Sequence, residues 1–298
     1  LQNIFNYISK INQTAYEDEF LIVNNVLSKN PFFTNMINNY LLNKPAEKIG
    51  TFFKIKKIFL YYIKNFKWLI AFIGKKLIHS LSRQYYQFSP ENRKLILIDT
   101  TIYIKRVTNK DNFEDILFPG LLKILQDQQA SFCLTPVLYD SSNLAKLFRT
   151  FRFLKKNNVP VLTEFQVISK TDFFHILLFI AIYPLSLARF IKNMETSYEA
   201  QLLSNALWES FDDLVASSYM RLLFGKRICK LPAPEIQCIS WYENQTRHKT
   251  FYKGLRDLPG KVRIIGAQLC IWPETRLNLH IDEEEKRFGT IPDKVLVN

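Results

Sequence analysis

The most chemically suggestive stretch of this sequence is Trp-Tyr-Glu-Asn-Gln at residues 241–245, which follows an apolar run and precedes a helical pattern. A carboxylate can accept a proton from a hydroxyl group, and amides can hydrogen-bond to the hydroxyls of a ligand. An aromatic ring offers an apolar wall on which a ligand can stack. We therefore predict Glu243 as a base or an acceptor-orienting group, Asn244 and Gln245 as positioning groups, and Trp241 as a stacking surface. The structural alternative is that Glu243 only caps the following helix.

Two further positions are predicted to face the same space. Asp99 and Thr100 end the apolar run that begins at Lys94, and Gln268 lies near the end of another such run. Ligands of open α/β sheets bind at the carboxyl ends of the strands, so these polar side chains are candidate substrate-binding groups. The alternatives are that Asp99 and Thr100 only form a turn, and that Gln268 makes buried hydrogen bonds.

The elements that must position these groups alternate along residues 91–298. Short apolar runs predict strands, and apolar residues at helical spacing predict the helices between them. The predicted strands are 94–101, 131–139, 159–165, 235–241 and 262–271. The predicted helices are 115–127, a helix capped by the polar cluster 140–143 and running to about 157, 198–224 and 246–258. This order predicts a Rossmann-like α/β domain with about five parallel strands. The sequence also predicts a strand in the run Pro-Asp-Lys-Val-Leu-Val at 292–297.

The charge of the chain is concentrated in one segment. The whole sequence has 40 Lys and Arg against 27 Asp and Glu, a formal net charge of +13. Residues 51–83 are aromatic-rich and contain no acidic residue, and their basic residues are Lys54, Lys56, Lys57, Lys64, Lys67, Lys75, Lys76 and Arg83. A basic amphipathic helix with aromatic residues such as Trp68 is typical of an anionic membrane surface. The alternative is a solvated basic helix that packs on its own domain. Nucleic acid is disfavoured because no nucleic-acid-reading motif accompanies the segment.

Several other kinds of site and class are disfavoured. A hydrophobic fraction of 48% excludes intrinsic disorder. The four cysteines form no Cys-x-x-Cys pair, and the acidic run at 282–285 points in several directions, so we predict no metal site. The apolar run 173–188 contains Pro184 and is short for a membrane span, which favours a buried or partly membrane-dipping helix. We expect His175 to be a packing residue, and His248 to be an exposed helix residue.

Four sequence motifs together indicate a family resemblance. They are Ile-Ser-Trp-Tyr-Glu-Asn-Gln at 239–245, His-Lys-Thr-Phe-Tyr-Lys-Gly-Leu-Arg at 248–256, Ile-Ile-Gly-Ala-Gln at 264–268 and Ile-Pro-Asp-Lys-Val-Leu-Val at 291–297. This succession resembles the bacterial surface carbohydrate and O-antigen biosynthesis proteins related to glycosyltransferases of the GT-B architecture. The family strand usually continues Gly-Tyr-Gln-Gly-Phe, whereas this chain has Gly-Ala-Gln-Leu-Cys at 266–270.

The resemblance implies an enzyme with an active cleft between two Rossmann-like halves. The first half would bind a glycan or lipid-linked glycan acceptor, and the second would bind the nucleotide-sugar donor. We expect this chain to be a fragment with a helical region at 1–50, a basic amphipathic segment at 51–90 and the acceptor domain at 91–298. It would then carry no cofactor itself and would act at the inner face of the cytoplasmic membrane. The alternatives are a sugar-nucleotide epimerase and a non-catalytic membrane-bound component of polysaccharide assembly.

Overall fold

The computed structural model describes residues 49–87, 94–107, 112–194, 197–209, 214–269, 281 and 283–297, together with Met36, Asn39 and Pro45. The predicted helical region 1–50 therefore lies almost entirely outside the described residues. The chain divides into two compact units. The first comprises Leu1–Phe66, Leu177–Ala216 and Trp272–His280, and the second comprises Lys67–Ile176, Ser217–Ile271 and Ile281–Asn298.

A five-stranded parallel sheet forms the centre of the second unit. The strands in chain order are β1 (Lys94–Asp99), β2 (Thr101–Tyr103), β3 (Phe132–Leu134), β4 (Val137–Tyr139), β5 (Glu235–Trp241), β6 (Val262–Gln268) and β7 (Lys294–Val297). The sheet order is β3-β1-β5-β6-β7, and β2 pairs with β4 in a separate two-stranded parallel sheet. The predicted α/β fold with a parallel sheet of about five strands is confirmed, and it is consistent with a Rossmann-like fold. The strand predicted within 292–297 is observed as β7.

Helices alternate with these strands along the described part of the chain. In chain order they are α1 (Thr51–Ser82), α2 (Ile104–Val107), α3 (Leu121–Asp127), α4 (Leu144–Lys156), α5 (Glu164–Val167), α6 (Lys170–Lys192), α7 (Tyr198–Glu209), α8 (Leu214–Cys229), α9 (Thr246–Leu255) and α10 (Glu283–Phe288). Helix α4 was predicted from its cap and its periodicity. Asn143 is the N-cap and accepts a hydrogen bond from the Lys146 N–H, and Leu147, Phe151 and Leu154 are fully buried.

Two predicted strands differ from the observed ones, and both differences have a proline nearby. Residues 159–165 are not a strand, because only Val161 bridges to Leu134 before the chain turns into α5. Pro160 accepts a hydrogen bond from the Leu134 N–H but has no N–H of its own to extend a ladder. The run 131–139 is interrupted around Pro136 and contributes β3 and β4 to different sheets.

Two predicted helices also have different bounds. The helix expected from residue 115 begins only at Leu121, because Asp115 accepts hydrogen bonds from the Leu117 and Phe118 N–H groups and so organises a turn. The single helix expected over 198–224 is instead α7 and α8. Helix α9 and strand β6 each end three residues earlier than predicted.

In the first unit, α1 and α6 are joined by tyrosine hydroxyls. The Tyr61 hydroxyl donates to the Ile180 carbonyl at 3.1 Å, and the Tyr62 hydroxyl donates to the Ala181 carbonyl at 3.1 Å. Helix α6 contains the predicted apolar run, including Pro184, and among the described residues it is the one helix long and apolar enough to cross a membrane. Only 22% of its apolar window is buried within the protein. Length and composition alone do not distinguish a membrane-crossing helix from a core helix.

Helices α8 and α9 approach one another at two glycines. A Cβ atom on Gly254 would lie 2.1 Å from the Leu222 carbonyl oxygen, and one on Gly225 would lie 2.6 Å from the Phe251 carbonyl oxygen. Both distances are shorter than van der Waals contact, and the obstructing atoms belong to the backbone. The glycines therefore allow the close packing that brings α8 and α9 together below the sheet edge.

We expect Gly254→Ala to lower the free energy of unfolding by about 1–3 kcal/mol, because the two helix backbones must separate to admit the methyl group. Urea unfolding followed by circular dichroism measures the change. Gly50→Ala is the matched control, since no heavy atom lies within 4 Å of a Cβ at that position. Equal stabilities of the two variants would contradict the close approach of the helices.

Candidate functional site

The sheet order identifies a topological switch point. From β1 the chain runs outward to β3 on one side, whereas β5, β6 and β7 follow one another on the other side. In open α/β sheets the ligand crevice forms where the strand order reverses, here at the carboxyl ends of β1 and β5. Asp99 lies at this end of β1, and its register partner in β5 is Ser240. The predicted residues at the ends of both strands therefore lie at the same edge of the sheet.

Asp99 is the acceptor of a buried hydrogen-bond chain at this edge. Arg221 Nη2 donates to Asp99 Oδ1 at 2.7 Å, and Ser240 Oγ donates to Asp99 Oδ2 at 2.7 Å. The Tyr252 hydroxyl donates in turn to Ser240 Oγ at 2.8 Å. Asp99 is only 4% exposed and Arg221 only 5%. Both carboxylate oxygens of Asp99 are thus engaged by protein groups, and the chain joins β1, β5, α8 and α9.

The Arg221 guanidinium lies among aromatic rings. Its central carbon is 4.1 Å from the ring centroid of Phe251 and 5.3 Å from that of Phe224, a geometry of favourable cation–π interaction. Its buried Nε and Nη1 atoms have no hydrogen-bond partner within the described ranges. Asp99 is therefore the group whose charge offsets that of Arg221 at hydrogen-bond distance. Burial, followed by the nearby Asp99 charge, raises the pKa of Tyr252 well above its usual value, so its hydroxyl remains a donor.

Thr100 is held by the loop that precedes α3. Its hydroxyl donates to Asp115 Oδ1 at 3.0 Å, and that oxygen also accepts the Leu117 and Phe118 N–H groups at 2.9 Å. Burial raises the pKa of Asp115, although the three hydrogen bonds act in the opposite direction. Thr100 is 2% exposed. The geometry thus shows Thr100 as an anchor of the loop that borders the crevice.

The turn between β5 and α9 brings Glu243 and Gln245 together. Gln245 Nε2 donates to Glu243 Oε2, and Glu243 is 5% exposed. Gln245, rather than Glu243, is the N-cap residue of α9. Asn244 has a positive φ of 48°, a conformation that Asn tolerates better than most residues. Its Nδ2 lies 3.4 Å from Glu285 Oε2, so the amide contacts α10 while Glu243 and Gln245 contact each other.

Trp241 belongs to a surface cluster of aromatic rings and one guanidinium. The central carbon of Arg247 lies 5.2 Å from the Trp241 ring centroid and 5.5 Å from that of Tyr139. Arg247 Nη1 also donates to the Tyr139 hydroxyl, and Tyr139 stacks on Tyr103 with centroids 5.2 Å apart. Trp241, Arg247 and Tyr139 therefore form a half-exposed cation–aromatic cluster at the carboxyl ends of β4 and β5.

The expectation that His248 is an exposed helix residue is wrong. His248 is 3% exposed and stacks on Tyr252, with ring centroids 6.1 Å apart. The backbone N–H of Gln245 approaches His248 Nδ1 at 3.4 Å, which turns the imidazole back toward the start of α9. Burial, followed by the positive charges of Arg247 and Arg221, lowers the pKa of His248 well below its usual value. The imidazole is therefore neutral at pH 7 and supports the turn from within.

The other sequence motifs mainly hold the sheet together. Arg256 Nη2 pairs with Asp293 Oδ1 at 2.6 Å, and Asp293 Oδ2 accepts the Ile264 N–H at 2.6 Å. A Cβ on Gly266 would lie 2.9 Å from Pro292, so this position tolerates little beyond glycine. Gln268, the remaining predicted substrate-binding residue, ends β6 and is half-buried. It lies at the same carboxyl edge of the sheet as Trp241.

The predicted membrane-surface residues occupy α1. Lys56, Lys64 and Lys67 are exposed, whereas Lys54, Lys57, Trp68, Lys75 and Lys76 are half-buried. Lys57 Nζ donates to the Glu209 carbonyl at 3.1 Å and Lys76 Nζ to the Ile168 carbonyl at 2.5 Å. The exposed face also carries large apolar side chains at intervals of three or four residues, namely Phe52, Ile55, Phe59, Ile63, Phe66, Ile70, Ile73, Leu77 and Leu81. This exposed apolar stripe accompanies the lysines.

Sequence reasoning missed three residues of the candidate site. Arg221 lies on α8 and Tyr139 on β4, and no local pattern connects either of them to Glu243. Arg247 had an available signal, because it lies in the first turn of α9 directly after the Glu-Asn-Gln motif. No group of three or more potential metal ligands occurs among the described residues. The contacts at this edge instead combine the buried carboxylates of Asp99 and Glu243 with the amide of Gln245 and the guanidinium groups of Arg221 and Arg247.

Comparison of the chain with protein-family models, with curated proteins and with solved structures finds no match.

Proposed function

We propose that this chain is the acceptor-binding part of a GT-B-like glycosyltransferase that builds surface polysaccharide. The observation that carries the proposal is the position of Glu243, which follows β5 at the switch point of the sheet beside Gln245 and the Trp241–Arg247 cluster. Parallel α/β sheets bind their ligands at this position. The resemblance of the four sequence motifs to surface carbohydrate proteins supplies the reaction class.

The proposed chemistry needs one proton acceptor and one leaving group. An acceptor hydroxyl forms a new bond to the anomeric carbon of the donor, while the bond from that carbon to the nucleoside diphosphate breaks. The proton of the hydroxyl passes to the Glu243 carboxylate, which Gln245 orients through its side-chain amide. The indole of Trp241 offers an apolar wall to the acceptor sugar, and Arg247 offers a cation to an acceptor phosphate. The donor nucleotide would bind to the second half of the enzyme.

We also propose that the protein works on an anionic membrane surface. The exposed apolar stripe of α1 and the exposed Lys56, Lys64 and Lys67 combine the two features of an interfacial helix. Each basic residue near an anionic surface contributes on the order of 1 kcal/mol. A lipid-linked glycan acceptor would be presented at the same surface.

The test is a transfer assay with the full-length protein and vesicles that carry the cell's lipid-linked glycans. A panel of radiolabelled nucleotide sugars is supplied, and label in the lipid fraction is counted. We expect incorporation from at least one donor on anionic vesicles, and less incorporation at high salt because counterions screen the surface charge. A folded protein that incorporates no sugar from any donor would contradict the transferase, and a donor epimerised without transfer would favour an epimerase. Equal activity on neutral vesicles would contradict the membrane proposal.

A further inference from the structure

An open groove of about 560 Å³ lies in the second unit, at the start of α4. One wall comes from α1 and the other from the loop between β4 and α4. Its lining residues are Ile70, Ala71, Gly74, Lys75, Asp140, Ser141, Ser142 and Leu144. This groove is separate from the switch-point residues, since none of those lines it. Its volume suits a small polar group with part of an apolar chain.

Lys75 supplies a cation to the groove. The side chain is half-buried, and burial lowers the pKa of its amine, while the charge of Glu164 acts in the opposite direction. Within the described ranges, Lys75 makes no ion pair and no hydrogen bond. A lysine that is partly removed from water gains more from an anionic ligand than a fully hydrated lysine does. The position of Lys75 therefore favours an anion in the groove.

Hydrogen-bond donors complement this cation. Ser141 lines the groove although it is only 9% exposed, and its hydroxyl has no partner among the residues that the structure describes. The first N–H groups of any α-helix lack partners within the helix, and Asn143 satisfies only that of Lys146 at the start of α4. The positive end of the helix dipole also favours a negative group here. Ser141 and the first residue of α4, Leu144, thus line the same groove as Lys75.

One carboxylate also borders the groove. Asp140 lies 3.5 Å from Lys105 Nζ, measured from its Oδ2 atom. That pair offsets the negative charge of Asp140. Glu164 offsets part of the charge of Lys75 but does not line the groove, so Lys75 is the cation among the lining residues. An anion is therefore favoured in the groove despite the acidic residue at its edge.

Gly74 keeps the groove open at a cost to the helix. Glycine in a helix interior is less favourable than alanine by roughly 1 kcal/mol. A Cβ on Gly74 would make only an ordinary contact, 3.5 Å from Leu144 Cδ1, so close packing does not require glycine here. The missing side chain is instead part of the open space that the groove encloses.

The groove adjoins an apolar surface. Ile70 lines it and also belongs to the exposed apolar stripe of α1, together with Ile73 and Leu77. A ligand that joins an anion to a hydrocarbon chain fits both features. We propose that the groove binds a phosphoryl group, carried either by a membrane lipid or by a soluble phosphate compound. This inference does not rest on the proposed sugar transfer, because binding is measured without it.

The test compares three variants of the full chain by two binding measurements. One measures sedimentation with phosphatidylcholine vesicles that contain phosphatidic acid, and the other measures inorganic pyrophosphate binding by calorimetry. We expect Lys75→Gln to weaken binding about tenfold or more, because a charge-assisted hydrogen bond is lost. Lys123→Gln removes the same charge from an exposed position of α3, outside the groove and outside the α1 surface, and is expected to change binding less than threefold. Gly74→Leu is expected to block the groove while preserving the helical circular dichroism spectrum.

The outcomes separate the two ligand sources and can overturn the proposal. If Lys75→Gln and Gly74→Leu weaken binding to vesicles but not to pyrophosphate, the groove binds a lipid phosphate. The same loss with pyrophosphate would assign it to a soluble phosphate compound. Equal weakening by Lys75→Gln and Lys123→Gln would show only general charge attraction and would overturn the proposal, as would unaltered binding by Gly74→Leu. None of these measurements depends on sugar transfer, so its failure would be distinguished from failure of the groove.

Discussion

Replacement of Arg221 by methionine is expected to lower the free energy of unfolding by about 3–5 kcal/mol, the largest stability effect that we anticipate in this chain. The substitution leaves the Asp99 carboxylate buried without the cation that lies 2.7 Å away. A buried charge without a partner is far more costly than the loss of a surface ion pair. Methionine keeps most of the side-chain volume and the contacts with the Phe224 and Phe251 rings.

Two controls make the expected effect of Arg221→Met specific. Lys94→Gln breaks the exposed pair with Glu235, in which both side chains are about half-exposed, and is expected to cost less than about 1 kcal/mol. Adding Asp99→Asn to Arg221→Met removes the uncompensated charge and should recover part of the loss. Urea unfolding of the three variants measures these differences. If Arg221→Met were no more destabilising than Lys94→Gln, the buried pair would not support the sheet edge.

The carboxyl end of β5 could be predicted from sequence because the residues that indicate it are adjacent in the chain. An apolar run, then polar groups, then a helical pattern identifies a strand end that faces ligand in any parallel α/β sheet. The same logic placed Asp99 and Gln268 at this edge. Glu243 could not be distinguished from a helix cap by sequence, since capping by Gln245 depends on the turn conformation at Asn244.

The partners of these residues could not be predicted because they come from distant parts of the chain. Arg221 and Asp99 are 122 residues apart, and no periodicity links a helix residue to a strand that is not its neighbour. The prediction that His248 is exposed was wrong for a related reason. An isolated helix exposes the third position of its first turn, and only packing against Tyr252 and Trp241 buries the imidazole. Residues 159–165 were apolar enough for a strand, but Pro160 prevents an extended ladder.

Exchange of Glu243 for glutamine is expected to reduce sugar transfer by roughly 10²–10⁴-fold, because an amide cannot accept the proton of the acceptor hydroxyl. Glutamine has nearly the same shape, and its side chain can still bond to Gln245 after rotation of the amide. Since the N-cap of α9 is Gln245, we expect the free energy of unfolding to change by less than about 1 kcal/mol. The decisive measurement is the turnover number of the full-length enzyme together with its urea midpoint.

Glu235→Gln is the matched control for this change, because Glu235 begins the same strand that Glu243 follows and lies at the opposite edge of the sheet. Its side chain is 57% exposed and pairs with Lys94, so its loss should leave transfer nearly unchanged. A role confined to helix support would produce the reverse result, in which Glu243→Gln lowers the urea midpoint and retains turnover. Undiminished transfer by Glu243→Gln would therefore show that Glu243 is not the base. Arg247, which lies at the same edge of the sheet, would then be the next residue to test.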